Sequence, residues 1–228
     1  MKEQEAFELP FEDRVHAGRT LANRLAPYRG RDVLILGIPR GGVPVAAEVA
    51  RGLDADLDVV VARKLGAPGE PELAIGAVTA NGGEFLNEDV VASLGVSDAY
   101  IRGVRREQME EARRREARFR GDRPAEGIQG RVVIVVDDGL ATGATMRAAV
   151  RSVRKHRPER LVVAVPVGSS EACAALRDEA DEVVCLSVPE PFGAVGYFYR
   201  NFEPVEDAEV GSILREFSVR HGAATRAG

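Results

Sequence analysis

Lysine, cysteine and tryptophan are scarce in this sequence of 228 residues, and long apolar runs are absent. Lys2, Lys64 and Lys155 are the only lysines, and the net charge is −5. Because a protein that binds nucleic acid normally carries a surplus of positive charge, this mild deficit disfavours nucleic acid as a partner. No run approaches the roughly 20 apolar residues of a membrane span, and the first residues are polar and acidic. We therefore expect a cytoplasmic protein that does not associate with membranes.

Cys173 and Cys185 are the only cysteines, which favours a reducing compartment, and we interpret both as small buried hydrophobic residues. The three histidines are not spaced as metal ligands, and no lysine follows a glycine. A zinc site and a Walker-type nucleotide site are therefore both disfavoured.

Apolar runs alternate with helix-forming stretches along the chain. The runs begin at Val33, Val59, Val132, Leu161 and Val183. Continuous apolar runs predict strands buried on both faces, and the helices between them predict βαβ units. We therefore predict an α/β fold with a parallel sheet of about five strands flanked by helices. We expect one domain over residues 1–228, with a core of about residues 30–188 and a small hood from the N-terminal segment and residues 189–228.

Two regions interrupt this alternation. Between Leu65 and Glu88, clusters of glycine and proline predict a mobile loop followed by an inserted flexible hairpin. Residues 98–120 predict a helix that ends at Gly121. Its i, i+4 charge pairs are typical of a solvent-exposed face, and they are Glu110/Arg114, Glu111/Arg115 and Glu116/Arg120.

The segment of residues 132–146 carries the strongest functional pattern. An apolar strand is followed by Asp137 and Asp138, and then by a turn of small residues and threonines. Amides at a helix N-terminus attract anions, so this turn is expected to surround a phosphate. The predicted phosphate-binding residues are Ala141, Thr142, Gly143, Ala144 and Thr145. The two carboxylates follow a strand, where ligands bind in open α/β sheets, and can accept hydrogen bonds from sugar hydroxyls. The alternative is that they only cap the next helix.

This segment resembles the motif with which type I phosphoribosyltransferases bind 5-phosphoribosyl-1-pyrophosphate (PRPP). The resemblance implies that Asp137 and Asp138 bind the ribose 2- and 3-hydroxyls while residues 141–145 bind the 5-phosphate. More narrowly, residues 63–66 and 192–198 resemble an uncharacterised bacterial group within that family.

The loop after the first strand resembles the pyrophosphate loop of the same family. Its Gly41 and Gly42 amides and its Arg40 guanidinium could meet a pyrophosphate. By itself the loop would also fit an ordinary glycine turn. Lys64, placed at the end of the second predicted strand, resembles the basic residue that contacts pyrophosphate in the family, and the alternative is a solvated strand end.

The resemblance implies an enzyme of nucleotide salvage that transfers the phosphoribosyl group of PRPP to a nitrogenous base or similar small acceptor and releases pyrophosphate. Arg40, Lys64, Asp137 and Asp138 are its implied catalytic residues. Mg²⁺ is the implied cofactor, held near the two aspartates mainly through ribose hydroxyls and water. A homodimer is frequent in the family. The alternative function is a PRPP-sensing regulator with little turnover.

Acceptor recognition is expected from residues 189–202, where aromatic side chains cluster. A base could stack there, with Tyr197 as the predicted contact, although the rings could instead form a small core or a dimer contact. Ala141 stands where the 6-oxopurine enzymes have an aspartate, which disfavours hypoxanthine and guanine. Glu70 and Glu72 are candidates for a general acid or base. Finally, the run Gly168-Ser169-Ser170-Glu171-Ala172 lacks the last glycine of a nucleophile elbow, so its serine is interpreted as a helix cap and not as a nucleophile.

Overall fold

The computed structural model describes residues 9–224, with side chains described up to residue 217. The helices are α1 (Arg14–Arg24), α2 (Gly42–Leu53), α3 (Glu88–Ser93), α4 (Asp98–Arg120), α5 (Ala144–Lys155), α6 (Ser170–Leu176) and α7 (Asp207–Ala224). The strands are β1 (Val33–Gly37), β2 (Asp56–Val59), β3 (Ala62–Ala67), β4 (Glu70–Thr79), β5 (Glu84–Leu86), β6 (Val132–Val136), β7 (Arg160–Val167) and β8 (Glu182–Ser187). Within residues 9–224, no helix is both long and apolar enough to cross a membrane.

Five strands form a parallel sheet in the order β2-β1-β6-β7-β8. Successive residues of a strand point to opposite faces of a sheet. Val33 and Ile35 therefore pack with α1, α2 and α7, whereas Leu34 and Leu36 pack with α5 and α6. The predicted α/β fold, with a parallel sheet of about five strands flanked by helices, is confirmed.

The second parallel strand lies earlier in the chain than its apolar run predicts. The run begins at Val59, but β2 ends there and the chain continues into β3 from Ala62. The prediction was wrong because β2 contains Asp58, which is only 2% exposed. The Arg120 Nε atom donates to both carboxylate oxygens of Asp58, at 2.9 and 3.1 Å. Arg120, which compensates the charge of Asp58, lies 62 positions away from it in the sequence. No local sequence pattern therefore indicates that β2 is a buried strand.

The inserted hairpin is larger than predicted. Strands β3, β4 and β5 form an antiparallel sheet, and the connection from β3 to β4 contains Gly69 with a φ of +78°. Leu65, Ile75 and Val78 pack with Ile101 of α4. The first part of the expected loop is therefore paired strand, and its mobility stays a prediction.

The predicted helix over residues 98–120 is confirmed as α4, which ends at Gly121 with a φ of +59°. Two of its three expected charge pairs form, Glu111/Arg115 and Glu116/Arg120. Arg114 pairs with Glu111 instead of Glu110. Glu116 is buried, pairs with Arg120 at 2.9 Å, and accepts a hydrogen bond from the Val61 amide. The C-terminal end of α4 therefore belongs to an internal charge network.

A cavity of about 930 Å³ lies beside this network, between β2, α5 and residues 125–131. Its buried acids Asp58 and Glu116 pair with Arg120, and the half-buried Asp56 pairs with Arg131. Because these charges neutralise one another, we assign no ligand to this cavity.

Residues 9–13 and 189–206 come together as a hood over one edge of the parallel sheet. The Phe11 amide donates to the Phe198 carbonyl, and the Arg200 amide donates to the Phe11 carbonyl, both at 2.8 Å. The rings of Phe11 and Tyr199 are buried between the two segments. Helix α7, expected as part of the hood, instead packs on the sheet because Val210, Leu214 and Phe217 belong to its core.

Arg120→Met should leave Asp58 and Glu116 as unpaired buried carboxylates. We expect the free energy of unfolding to fall by about 3–5 kcal/mol, measured by urea denaturation. Arg114→Met is the matched control on the same helix, because the Arg114 side chain is 66% exposed, and it should change stability by less than about 0.5 kcal/mol. Small and equal losses for both variants would contradict a stabilising role for the buried network.

Candidate active site

The two predicted ligand-binding loops leave the sheet side by side. Gly37, the last residue of β1, pairs with Val136, the last residue of β6. The Ile38 amide then donates to the Val136 carbonyl at 2.9 Å. Residues 38–41 and the Asp137–Asp138 pair are therefore neighbours at the carboxyl edge of the sheet, where parallel α/β proteins bind their ligands.

Glycine is required where these loops meet. A Cβ atom on Gly41 would lie 1.9 Å from Asp138 Oδ2, and one on Gly42 would lie 2.8 Å from the Cα atom of Asp137. No larger residue fits at either position unless the acidic pair moves. The peptide bond between Pro39 and Arg40, just before this contact, is cis.

The helices that begin at this edge differ from their neighbours at their N-termini. A side-chain oxygen accepts a hydrogen bond at the start of four helices, from Asp13 for α1, Asn87 for α3, Ser97 for α4 and Ser169 for α6. By contrast, α2 and α5 begin after Gly41 and Gly143, have no side-chain cap and have no acidic residue in the first turn. The uncapped N-terminus of α5 is suited to an anion. At α2, by contrast, the Gly42 amide donates to the Ile38 carbonyl and the Val43 amide to the Arg40 carbonyl. The expected Gly42 donor is therefore already used, and the free amides of that loop belong to Arg40 and Gly41.

The predicted phosphate site is formed at the start of α5. Gly143 has a φ of +75°, in the left-handed region that favours glycine. The Arg147 amide donates to the Gly143 carbonyl at 2.8 Å. The three preceding amides, of Ala144, Thr145 and Met146, make no hydrogen bond to any residue in the described range 9–224. Three N–H donors therefore converge beside Thr142, which is exposed.

Ser169 anchors this phosphate loop, a role that the sequence did not reveal. The predicted serine cap of α6 is confirmed, and the structure assigns it to Ser169, whose hydroxyl oxygen accepts a hydrogen bond from the Ala172 amide at 3.2 Å. The same hydroxyl donates to the Ala141 carbonyl at 2.7 Å. The Ser169 amide also donates to the Leu140 carbonyl. The loop is thus tied to the end of β7, and the Gly-Ser-Ser run that marks the cap gives no sign of this second contact.

The acidic pair is held by Arg14 of α1 and by Tyr199 of the hood. Arg14 Nε lies 2.8 Å from Asp138 Oδ2, and both side chains are largely buried. The Tyr199 hydroxyl donates to the Asp138 carbonyl at 2.5 Å, and its burial raises the pKa of Tyr199. The Asp138 amide donates to Asp137 Oδ1 at 2.8 Å. Neither Arg14 nor Tyr199 was predicted in these roles, since they lie 124 and 61 positions from Asp138.

Both carboxyl groups of the pair have raised pKa values. For Asp137 the largest cause is burial, and the charge of Asp138 raises its pKa further. Burial also raises the pKa of Asp138, but the hydrogen bond from Arg14 opposes that shift. The site therefore presents two adjacent carboxylates of which one already has a cationic partner. Such groups accept hydrogen bonds from hydroxyls and fit oxygen-ligating cations.

Lys64 does not end a parallel strand, so that part of the prediction was wrong. It lies within β3 and pairs with Ala77 of β4. Directly opposed residues in an antiparallel pair project from the same face of a sheet. Ala77 packs against Ala144, the first residue of α5. Lys64, which is exposed, therefore lies on the face of the hairpin that contains this contact with the phosphate loop.

The remaining predicted residues lie around the edge of the site. The Arg40 side chain is 44% exposed, and its Nη1 atom lies 3.7 Å from Asp207 Oδ1, whose second oxygen pairs with Arg118. Tyr197 is 78% exposed on the hood. Of the neighbouring rings, Phe192 and Phe198 pack against each other. Glu70 and Glu72 are exposed near the β3–β4 turn.

Comparison with known proteins agrees with the fold. The family model of the phosphoribosyl transferase domain matches residues 13–200. The chain belongs to the type I phosphoribosyltransferase family.

Several relatives show how closely the chain follows other members. A Mycobacterium tuberculosis H37Rv protein, assigned by name to the phosphoribosyl transferases, is 50% identical over 204 residues, which are 90% of this chain and 46% of that protein. The crystal structure of TT1426 from Thermus thermophilus is 47% identical, has a TM-score of 0.78, and is matched over 92% of this chain and 99% of its own. The bifunctional protein PyrR of Corynebacterium diphtheriae is 31% identical over 139 residues, 60% of this chain and 54% of PyrR. The chain thus spans about half the length of the curated relatives it matches.

Asp137→Asn should stabilise the protein, because it keeps the acceptor for the Asp138 amide and removes one of two adjacent charges. The raised pKa of Asp137 means that the native state binds its proton more tightly than the unfolded chain does. Stability from this group is present at low pH and is lost as the pH rises through the native pKa. The variant should therefore gain about 1 kcal/mol at pH 8. It should gain much less near pH 4, where the native carboxyl group is protonated and the unfolded one is only partly ionised.

Urea denaturation of the wild type and the variant at both pH values measures this difference. A variant that is less stable than the wild type at pH 8 would contradict the claim that the two adjacent charges destabilise the protein. An equal gain in the free energy of unfolding at both pH values would contradict it as well.

Proposed function

We propose that the protein transfers the 5-phosphoribosyl group of PRPP to a nitrogenous base or similar small acceptor, with release of pyrophosphate. The observation that carries the proposal is the meeting of the Gly41–Gly42 loop with Asp137 and Asp138 between two uncapped helix N-termini. PRPP carries a phosphate, a ribose and a pyrophosphate in that order. Such a ligand needs an anion site on each side of a group that binds hydroxyls, which is the order found here. The reaction displaces pyrophosphate from C1 by an acceptor nitrogen, with inversion and an oxocarbenium-like transition state.

Each part of the site has a separate task in this reaction. The amides of residues 144–146 bind the 5-phosphate and fix one end of the substrate. Asp137 and Asp138 accept hydrogen bonds from the ribose hydroxyls. Arg40 and Lys64 stabilise the negative charge that develops on the leaving pyrophosphate. The amides of Arg40 and Gly41 make no hydrogen bond within residues 9–224 and complete the leaving-group site.

The residues present fit a Mg²⁺ ion that is held largely by the substrate. Asp137 and Asp138 offer the oxygen ligands that Mg²⁺ prefers. In the described part of the chain, no group of three or more His, Cys, Asp or Glu residues is arranged to hold a metal ion. When bound, Mg²⁺ supplies charge neutralisation for pyrophosphate. The two aspartates would hold it mainly through ribose hydroxyls and water.

The acceptor site lies between the hood and the phosphate loop in this proposal. Tyr197 is the exposed ring of the hood and is the candidate for stacking on a base. Tyr199 takes no part in stacking, since it is buried against Asp138. Ala141 has no acidic side chain for a 6-oxopurine, so adenine, uracil or another amine is favoured over hypoxanthine and guanine. We place the reaction in nucleotide salvage in the cytoplasm and expect a homodimer.

Calorimetric titration with PRPP and Mg²⁺, followed by pyrophosphate release over a panel of bases, tests the proposal. PRPP binding with release that depends on the base is the expected result and identifies the acceptor. PRPP binding without release for any base would favour the second candidate function, a PRPP-sensing regulator. Absence of PRPP binding would overturn the reading of the whole site.

Arg40→Ala should separate the pyrophosphate site from the ribose site. We expect it to weaken PRPP binding by about 2 kcal/mol, the contribution of a charged hydrogen bond, and to leave ribose 5-phosphate binding within about twofold. Calorimetry with both ligands measures the two effects. Arg200→Ala, which removes an arginine that is 66% exposed on the hood, is the matched control. Equal losses for the two ligands would contradict the role of Arg40.

A further inference from the structure

Arg14 contacts the acidic pair from a part of the chain outside the two ligand-binding loops. It is the first residue of α1 and stands 124 positions before Asp138. Its Nε atom donates to Asp138 Oδ2 at 2.8 Å, and the two side chains are only 11% and 14% exposed. An ion pair shielded to this degree is much less weakened by solvent than a surface pair.

The hood fixes the Arg14 guanidinium on two further sides. Nη1 donates to the Glu203 carbonyl at 2.8 Å. The guanidinium carbon lies 3.8 Å from the centre of the Phe202 ring, a cation–π contact. Phe202 in turn packs on Tyr199, with ring centres 5.0 Å apart, and Tyr199 holds the Asp138 carbonyl. Both the side chain and the backbone of Asp138 are therefore held by the hood.

This arrangement decides which carboxylate oxygens are available to a ligand. Arg14 occupies Asp138 Oδ2, and the Asp138 amide occupies Asp137 Oδ1. Within residues 9–224, no donor other than the neighbouring carboxyl group reaches Asp138 Oδ1 or Asp137 Oδ2. One oxygen of each aspartate remains for one ribose hydroxyl each.

We infer that Arg14 is a positioning residue for ribose: by holding Oδ2 of Asp138 against the hood, it presents the other oxygen of that carboxylate to a ribose hydroxyl. The inference rests on the proposed function, in which Asp138 binds ribose. It makes the hood part of the sugar site as well as of the acceptor site. It also predicts that Arg14 affects every ligand that contains ribose 5-phosphate, because its action passes through Asp138 and not through pyrophosphate.

Arg14→Met and Arg14→Lys test the inference, with Arg19→Met as the control on the same helix. The Arg19 side chain is 70% exposed and pairs with Glu48, away from the acidic pair. Calorimetry should show that Arg14→Met weakens ribose 5-phosphate and PRPP by the same factor, about tenfold or more, as is typical when a supporting contact is removed. Arg14→Lys keeps the positive charge but not the planar guanidinium group. It should recover most of the affinity for both ligands that Arg14→Met loses. Arg19→Met should bind both within about twofold of the wild type.

The outcomes separate this inference from the proposed function. If the wild type binds neither ligand, the proposed function fails. If the wild type binds both and Arg14→Met binds equally well, Arg14 does not position the ribose. If Arg14→Met loses affinity for PRPP alone, Arg14 acts on pyrophosphate and the inference is overturned.

Phe202→Leu covers the case in which Arg14→Met does not fold. This variant keeps the ion pair and removes the ring that lies beneath the guanidinium and packs on Tyr199. It should weaken both ligands by the same factor, about two- to fivefold, as expected from the loss of one partly buried cation–π contact. Unchanged binding of both ligands by a folded Phe202→Leu protein would contradict the role assigned to the hood.

Discussion

The close approach of Gly41 to the Asp138 carboxylate is the constraint on which the rest of the site depends. A single added carbon atom at Gly41 would overlap that carboxylate. The contact is possible because β1 and β6 are neighbours that end in register, so that their loops leave the sheet together. It brings a loop with free amides and an arginine beside a pair of carboxylates, and it sets the spacing between the starts of α2 and α5. The anion-binding and hydroxyl-binding groups therefore act on one ligand.

The acidic pair is the part of this arrangement that destabilises the free protein. Burial raises the pKa of both carboxyl groups, and the charge of Asp138 raises that of Asp137 further, so the pair destabilises the free protein. Arg14 offsets part of that cost, and its hood contacts fix it in place. A bound cation and the ribose hydroxyls would offset the remainder. The site is thus built to be satisfied by its ligand, in the same way that the starts of α2 and α5 are left without side-chain caps.

Much of the fold and the central part of the site could be predicted from the sequence, because the residues concerned are close together in the sequence. Residues 132–146 carry a strand, two acids, a glycine turn and a helix start in one stretch, so their arrangement follows from short-range rules. Strand β2 could not be placed, because the charge that permits Asp58 to be buried comes from Arg120 on a distant helix. Arg14 and the second contact of Ser169 were missed for the same reason. Asp13 marks the start of α1, but nothing in its neighbourhood indicates that the next residue reaches Asp138.

The most direct test of the central claim is a two-dimensional amide NMR titration, which observes the starts of α2 and α5 separately. Ribose 5-phosphate should shift the amides of Ala144, Thr145 and Met146 and leave those of Arg40 and Gly41 nearly unchanged. PRPP with Mg²⁺ should shift both groups together at the same ligand concentration. Shifts at only one of the two loops with PRPP, or shifts confined to the cavity beside Asp58, would contradict the claim that the two loops form one site.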